Sequence, residues 1–428
     1  MLRILAAAAA TILLATTAFA DQPPSFRFDN GLWFNGERFV AATVFVDYGQ
    51  LRFAKDKKGA RAPAEQVVDL AGKHVAPPFC EAHNHNLGLD DLARNKLALY
   101  NYLRDGIFYV KVLSNLPRQS AAVWGTYNRP DSVDAIFPNG GITGPGGHPI
   151  RLRERLLEQG VYEGFTKETL KDHAYYVVES DADIEAKWPL ILQYRPDFLK
   201  MMLVESEYYA ERRDDPAFFG LKGLSPQIFA KLVEKAHKNN LRVSVHVESV
   251  SDFRAAVAAG VEEIAHLPGY RAPQILTKAD ATEVARRGMV VVTTAGLIKR
   301  WKEKEPERYA AVREAQIANL RLLKEARVKL AVGSDEYDDT SVAEVDHLRG
   351  LGVFNDADIL RMWTANCAGM FSARRIGQLA DGYEASFIAF DSDPLKDFGV
   401  TRSIALRVKD GRVLELGPPP PEPPDEEN

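Results

Sequence analysis

The sequence predicts an α/β fold, a (β/α)8 barrel carrying a small β-sandwich domain built from both chain ends. Three observations predict it. Short apolar segments alternate with helical ones through the middle of the 428-residue chain, the pattern of parallel strands joined by helical crossovers. Eight such strands can be counted, the number of strands in a TIM barrel. Both flanks of that middle read instead as short strands and tight turns.

In the first flank, Asn30-Gly31 and Asn35-Gly36 are hairpin-type dipeptides among aromatic and β-branched residues. Thr43-Val44-Phe45-Val46 is the next strand, and Gly49 lies in the turn after it. At the far end, Ser386–Phe390 and Ile404–Val408 read as strands, and Asp410-Gly411 turns into Val413–Leu416. Residues 21–76 and 380–416 are therefore expected to form one β domain.

Between them, the strands are expected at Val75–Cys80, Gly106–Val112, Ala135–Phe137, Phe198–Leu203, Val243–Val247, Glu263–Ala265, Val290–Thr294 and Leu330–Val332. Helices are expected at Pro226–Asn239, Ser251–Ala259 and Ala310–Ala326. The barrel domain is expected over residues 77–379. Leu116–Lys187 is long and loop-rich, which places insertions over one face of the barrel. The proline-rich, acidic residues 417–428 read as a disordered tail.

The chain opens with Met1-Leu2-Arg3 and the apolar run Ile4–Leu14, and Ala18-Phe19-Ala20 is an A-x-A cleavage site. Residues 1–20 therefore read as a secretory signal peptide. The run is shorter than the roughly 18 apolar residues that span a bilayer, and Cys is absent just after the cleavage site. The expected mature protein has no membrane anchor and is exported, most simply to the periplasm. A net charge of −5 leaves no basic footprint for nucleic acid. Cys80 and Cys367 could pair in an oxidising compartment but are too few for a disulfide framework, and two small buried thiols are the blander expectation.

The chemistry begins at His83-Asn84-His85, just after the apolar run Val75–Cys80. Side chains two apart on a strand point the same way, so both imidazoles converge at the strand's carboxyl end. Lys200, His246, His266 and Asp335 also lie in or just after expected strands, and barrel active sites lie at the carboxyl ends of strands. Imidazoles with a carboxylate suit zinc. Lys200 is hard to dismiss as a packing residue, because an unpaired buried lysine is costly. His74, His173, His237 and His347 carry no such context and read as structural. Asp335 taken alone also fits a helix cap.

In this order and spacing the motifs resemble the amidohydrolase superfamily, in its imidazolonepropionase-like and dipeptidase-like branch. The resemblance covers nearly all of the mature chain. Ala76–His85 is similar to the family's P-G-x-x-D-x-H-x-H motif, with Glu81 for the usual Asp and Pro78 for the usual Gly. Asp197-Phe198-Leu199-Lys200 resembles the segment bearing a carboxylated lysine, and Gly333-Ser334-Asp335 the segment bearing the catalytic aspartate. Thr364–Ala368, Ile376–Gly382 and Phe390–Leu395 resemble its closing signature, with Cys367 for the usual Pro.

The resemblance implies one or two divalent ions, Zn2+ first, held by His83, His85, His246, His266 and Asp335. A carboxylated Lys200 would join them if the site is binuclear. It implies hydrolysis of an amide-type C–N bond in a small molecule, a dipeptide or N-acyl amino acid, by a metal-bound hydroxide with Asp335 as proton shuttle. His148, in Gly146-Gly147-His148-Pro149, resembles a turn that some relatives place over the substrate, and Tyr208 and Tyr209 are candidate hydrogen-bond donors to it.

Three alternatives stay open. A lactonase or esterase would use the same hydroxide. A ring-amine deaminase is disfavoured, since such relatives lack the lysine and carry a glutamate three residues after the strand-five histidine, whereas Glu248 stands two after His246. A non-catalytic secreted metal-binding protein would have no need of Asp335. Substrate identity, metal count and oligomeric state are not fixed by the sequence, so an oligomer stays open.

Overall fold

The computed structural model describes residues 23–54, 66–89, 91–371 and 374–422. The expected signal peptide and residues 423–428 of the expected tail lie outside the described residues. Five strands come first: β1 (Phe26–Phe34), β2 (Phe39–Asp47), β3 (Gln50–Phe53), β4 (Gln66–Asp69) and β5 (His74–Ala76). The middle of the chain supplies β6 (Phe79–Asn84), β7 (Ile107–Val112), β8 (Asp134–Ile136), β9 (Gly141–Thr143), β10 (Tyr175–Val177), β11 (Leu199–Met202), β12 (Val243–His246), β13 (Glu263–Ile264), β14 (Val290–Val292) and β15 (Lys329–Ala331). The far end supplies β16 (Phe387–Phe390), β17 (Ile404–Lys409) and β18 (Arg412–Val413).

The two chain ends share one eight-stranded sheet, in the order β18-β17-β16-β5-β1-β2-β3, with β4 also on β1. Antiparallel β5 and β16 make the join, Ala76 opposite Ile388 and His74 opposite Phe390. In β1 the pairing slips between Phe28 and Gly31, where Asn30 has φ of 56°. A slip of this kind bends a strand, so the first half of β1 pairs with β4 and the second with β5. Phe28 and Trp33 then meet Phe387 edge-on, at 5.1 and 5.2 Å between ring centres, and one core spans both chain ends.

The strand expected at Val75–Cys80 is two strands. Pro77 and Pro78 have no N–H to give a ladder, so β5 stays with the chain-end sheet and β6 joins the middle.

The middle strands pair in parallel, as β6-β7-β8 and as β10-β9-β11-β12-β13-β14-β15. Their residues are buried almost throughout, as parallel strands covered on both faces must be. Two backbone bonds lead from one set to the other: Ala82 donates to Val332 O at 2.9 Å, and Asp197 to Phe137 O at 2.9 Å. The fold is an α/β fold with parallel sheets. Helical stops follow local chemistry. The helix Val250–Ala259 opens on Ser249, whose side chain accepts from Asp252 N, and ends at Gly260 with φ of 82°, a left-handed cap that glycine adopts without strain. β9 and β10 lie in the segment expected to be loops.

Cys80 and Cys367 are joined in a disulfide, Cα to Cα 5.9 Å, which corrects the expectation of two thiols. Cys80 lies on β6, and β6 packs against the segment Met362–Asn366 that leads into Cys367. Their separation of 287 residues hid that neighbourhood in the sequence. Among the described residues no helix is long and apolar enough to cross a membrane.

Candidate metal centre

The carboxyl end of β6 is strapped to the loop after β15. Glu81 Oε1 accepts from His83 N at 3.0 Å and from Ser334 N at 2.9 Å, and its Oε2 accepts from Ser334 Oγ at 2.8 Å. Burial pushes this carboxyl up to about 8. Glu81 is thus spent on backbone, and the longer side chain reaches the loop beyond β15. Asp335 N donates to His83 O at 2.7 Å, and Asp335 sits at φ of 56°. That turn aims its carboxylate at His83 Nε2 (3.2 Å), His85 Nε2 (3.0 Å) and His266 Nδ1 (3.8 Å). The two imidazoles of the His-x-His pair therefore converge on one carboxylate. His83, His266 and Asp335 offer ligand atoms within 4.8 Å of one another.

Outer partners fix the ring tautomers. His83 Nδ1 lies 3.0 Å from Ala265 O. A carbonyl only accepts, so the proton is on Nδ1, and burial pushes His83 down to about 4, so that the ring is neutral at pH 7. Its Nε2 then carries a lone pair facing Oδ1 of Asp335. Burial alone would raise the Asp335 carboxyl, but the surrounding histidines, His83 first, hold it well below the carboxylate range. A lone pair and a carboxylate oxygen in contact repel unless a cation lies among them. The donor set therefore fits a metal ion.

The other imidazoles are arranged alike. His246 Nε2 lies 3.1 Å from Glu248 Oε1, which leaves Nδ1 to ligate. Burial opposes ionisation of Glu248, but His246 and Arg271 hold it at about 2. His266 Nδ1 lies 3.0 Å from Thr294 Oγ1, and Thr294 is turned to φ of 39°. Lys200, on β11, is buried, and its Nζ has no partner. Burial pulls its amine down to about 7. β11 sets Met202 opposite His246 of β12, so lysine and histidine open on the same cavity.

That cavity, of about 240 Å³, is lined by His83, His85, Lys200, His246, His266 and Asp335 together. His148 lines it too and stacks on His246, ring centres 4.8 Å apart. Tyr208 and Tyr209 are not among its lining residues. Tyr208 is exposed and lies under the Arg212 guanidinium, 4.5 Å from it. His74, His173, His237 and His347 lie outside the cavity lining. Residues not anticipated are Glu248, Arg271, Arg153 and Tyr337, which line the cavity. Tyr337 stacks on His85 at 5.2 Å. Its position two residues after Asp335 was the one available sign.

A parallel α/β fold with a histidine–aspartate cluster at its strand ends defines a class, and comparison with known proteins agrees with it. Residues 217–414 match the amidohydrolase family. Ochratoxinase of Aspergillus niger is 26% identical over 233 residues, 52% of this chain and 46% of that protein. The chain thus matches about half the length of that relative. Its crystal structure superposes with a TM-score of 0.73 at 18% identity, over 92% of this chain and 96% of that one. A putative prolidase from Bifidobacterium longum gives 0.70 at 17%, over 94% and 97%. Molinate hydrolase gives 0.72 at 14%, over 95% and 99%. The family match over residues 217–414 and the shared fold support the amidohydrolase superfamily.

Proposed function

We propose that the protein is a metal-dependent amidohydrolase that cleaves an amide C–N bond in a dipeptide or N-acyl amino acid. The observation that carries this reading is the convergence of His83 Nε2 and His85 Nε2 on the carboxylate of Asp335, an arrangement that a bound metal ion would satisfy. His83, His85, His246, His266 and Asp335 would hold one or two divalent ions, zinc first for this donor set. Lys200 would join them as a carbamate. Its amine, drawn down to about 7, has the neutral form that adds to carbon dioxide.

When bound, the metal supplies Lewis acidity toward the carbonyl and lowers the pKa of water. Asp335 takes the proton of the attacking water and hands it to the leaving nitrogen. Glu81 holds the Asp335 turn in register, and His148, stacked over His246, positions the substrate carbonyl. The ochratoxinase and prolidase similarities support an amide as the scissile bond. The reading is tested by assaying N-acyl amino acids and dipeptides before and after dialysis against a chelator. Hydrolysis that chelation removes and zinc restores is expected. Hydrolysis unaffected by chelation, or none of any amide, would overturn it.

The reading extends to architecture and address. The bonds Ala82–Val332 and Asp197–Phe137 support closure of β6, β7, β8, β11, β12, β13, β14 and β15 into a (β/α)8 barrel over residues 77–379. The bend of β1 supports a two-layer β unit from 21–76 and 380–416. A disulfide between buried cysteines supports an oxidising compartment, in line with cleavage after Ala20. N-terminal sequencing from the native host should then begin at Asp21, and a cytoplasmic protein starting at Met1 would contradict it.

A further inference from the structure

The cavity holds a cation that the protein leaves without an anion. Arg153 lies on the helix Ile150–Glu158, is 6% exposed and lines the cavity. Its guanidinium donates to Ser114 Oγ and Tyr162 Oη, both neutral hydroxyls. Its Nε has no partner, and among the described residues no carboxylate pairs with it. The other arginines at the cavity differ. Arg271 pairs with Glu248 at 3.0 Å, and Arg300 and Arg155 are exposed to water. A buried charge without a counter-charge is costly, and here only two hydroxyls and the Tyr162 ring, 5.7 Å from the guanidinium carbon, stand against it. The charge of Arg153 acts on His85 and on Tyr337, so it stands beside the candidate metal ligands.

We infer that Arg153 binds the carboxylate of the substrate. Ser114 and Tyr162 hold the plane of the guanidinium, and the fork of remaining N–H groups matches a carboxylate edge. Leu113, Leu152, Leu297, Tyr270 and Tyr337 line the same cavity and offer an apolar wall. The substrate class that fits is an N-acyl amino acid or dipeptide with a free α-carboxylate and an apolar side chain, rather than a neutral amide. The inference rests on the amide-hydrolase reading and adds the group that selects among amides.

The test compares N-benzoyl-L-leucine with N-benzoyl-L-leucinamide on the zinc-loaded full chain, as wild type, Arg153→Met and Arg153→Lys. Wild type should favour the acid in kcat/KM by about 30-fold, the range of a charge-assisted pair. Arg153→Met should bring that ratio to about one, and Arg153→Lys should restore part of it, since it keeps the charge but not the fork. A wild-type ratio near one, or a ratio unchanged in Arg153→Met, overturns the inference. Calorimetric binding of the same two compounds gives a readout without turnover. Should neither be hydrolysed, the hydrolase reading fails for them, and an acid-over-amide binding preference lost in Arg153→Met still upholds the carboxylate site. No preference in binding overturns it.

Discussion

Two lysines are buried among the same parallel strands, and the protein treats them in opposite ways. Lys111, on β7, is paired with Glu263 of β13, and Ser244 Oγ donates to the other oxygen of that glutamate at 2.7 Å. The Phe198 ring lies 4.0 Å from the Lys111 ammonium. Lys200, on β11, has no partner at all. Burial lowers both amines; Glu263 bonds Lys111 directly and opposes the shift there, whereas Asp335 and Glu263 act on Lys200 only through space and it falls to about 7. Around Lys111 the protein completes its own electrostatics. Around Lys200 it leaves an amine with no hydrogen-bond partner, on a cavity that the histidines, Asp335 and Arg153 also line. The first region holds strands together, and the second is where the proposed metal would complete the charges.

That contrast can be broken or sharpened. The largest effect belongs to Asp335→Asn, which keeps shape and loses the basic carboxylate. Steady-state kinetics should show kcat lower by about 10²- to 10⁴-fold, with metal content kept. Near-normal turnover would show that the proton travels another way. Next comes Lys111→Met, which strands Glu263 as a buried charge. Urea unfolding should show a loss of about 3–5 kcal/mol, and a loss under about 1 kcal/mol would show that the pair is not structural.

Removing the Cys80–Cys367 bond by a Cys80→Ala/Cys367→Ala double replacement should cost about 2–4 kcal/mol in the same experiment, as for other disulfides that close a long loop. An unchanged unfolding midpoint would show that β6 does not need the tie. The smallest stability effect is expected for Lys200→Met when both proteins are unfolded metal-free in chelator, within about 1 kcal/mol of wild type or above it, because an unpaired buried amine is then what is removed. A loss as large as that of Lys111→Met would erase the distinction between the two regions.

The gathering of His83, His85, Lys200, His246, His266 and Asp335 on one cavity was legible in the sequence because each residue sits in or just after a short apolar run whose direction is known. Period two placed His83 and His85 together, and Lys200 stood out as a charge inside Phe198–Leu203. The Arg153 side of the cavity was not legible. Arg153 lies in Arg151-Leu152-Arg153-Glu154-Arg155, which reads as a solvated helix face until the insertion folds over the cavity. β9 and β10 are three residues each, too short for period two to show, and glycines flank the first. Pro77-Pro78 was visible, but its effect on strand pairing depends on which sheet waits on either side. Tyr208 and Tyr209 follow β11 closely, yet the chain turns at Glu205, φ of 45°, and Tyr208 ends against Arg212 rather than in the cavity.

The central claim is that the unfinished charges around Lys200 are completed by metal, and the most direct measurement is the metal-to-protein ratio of the purified native protein. Elemental analysis, with intact mass measured under non-denaturing conditions, should find about two divalent ions per chain and one added carboxyl group, as a shared site with a carbamate requires. In Lys200→Met the added carboxyl should be gone and the metal reduced. A native protein that carries no metal and hydrolyses amides fully in chelator would contradict the account.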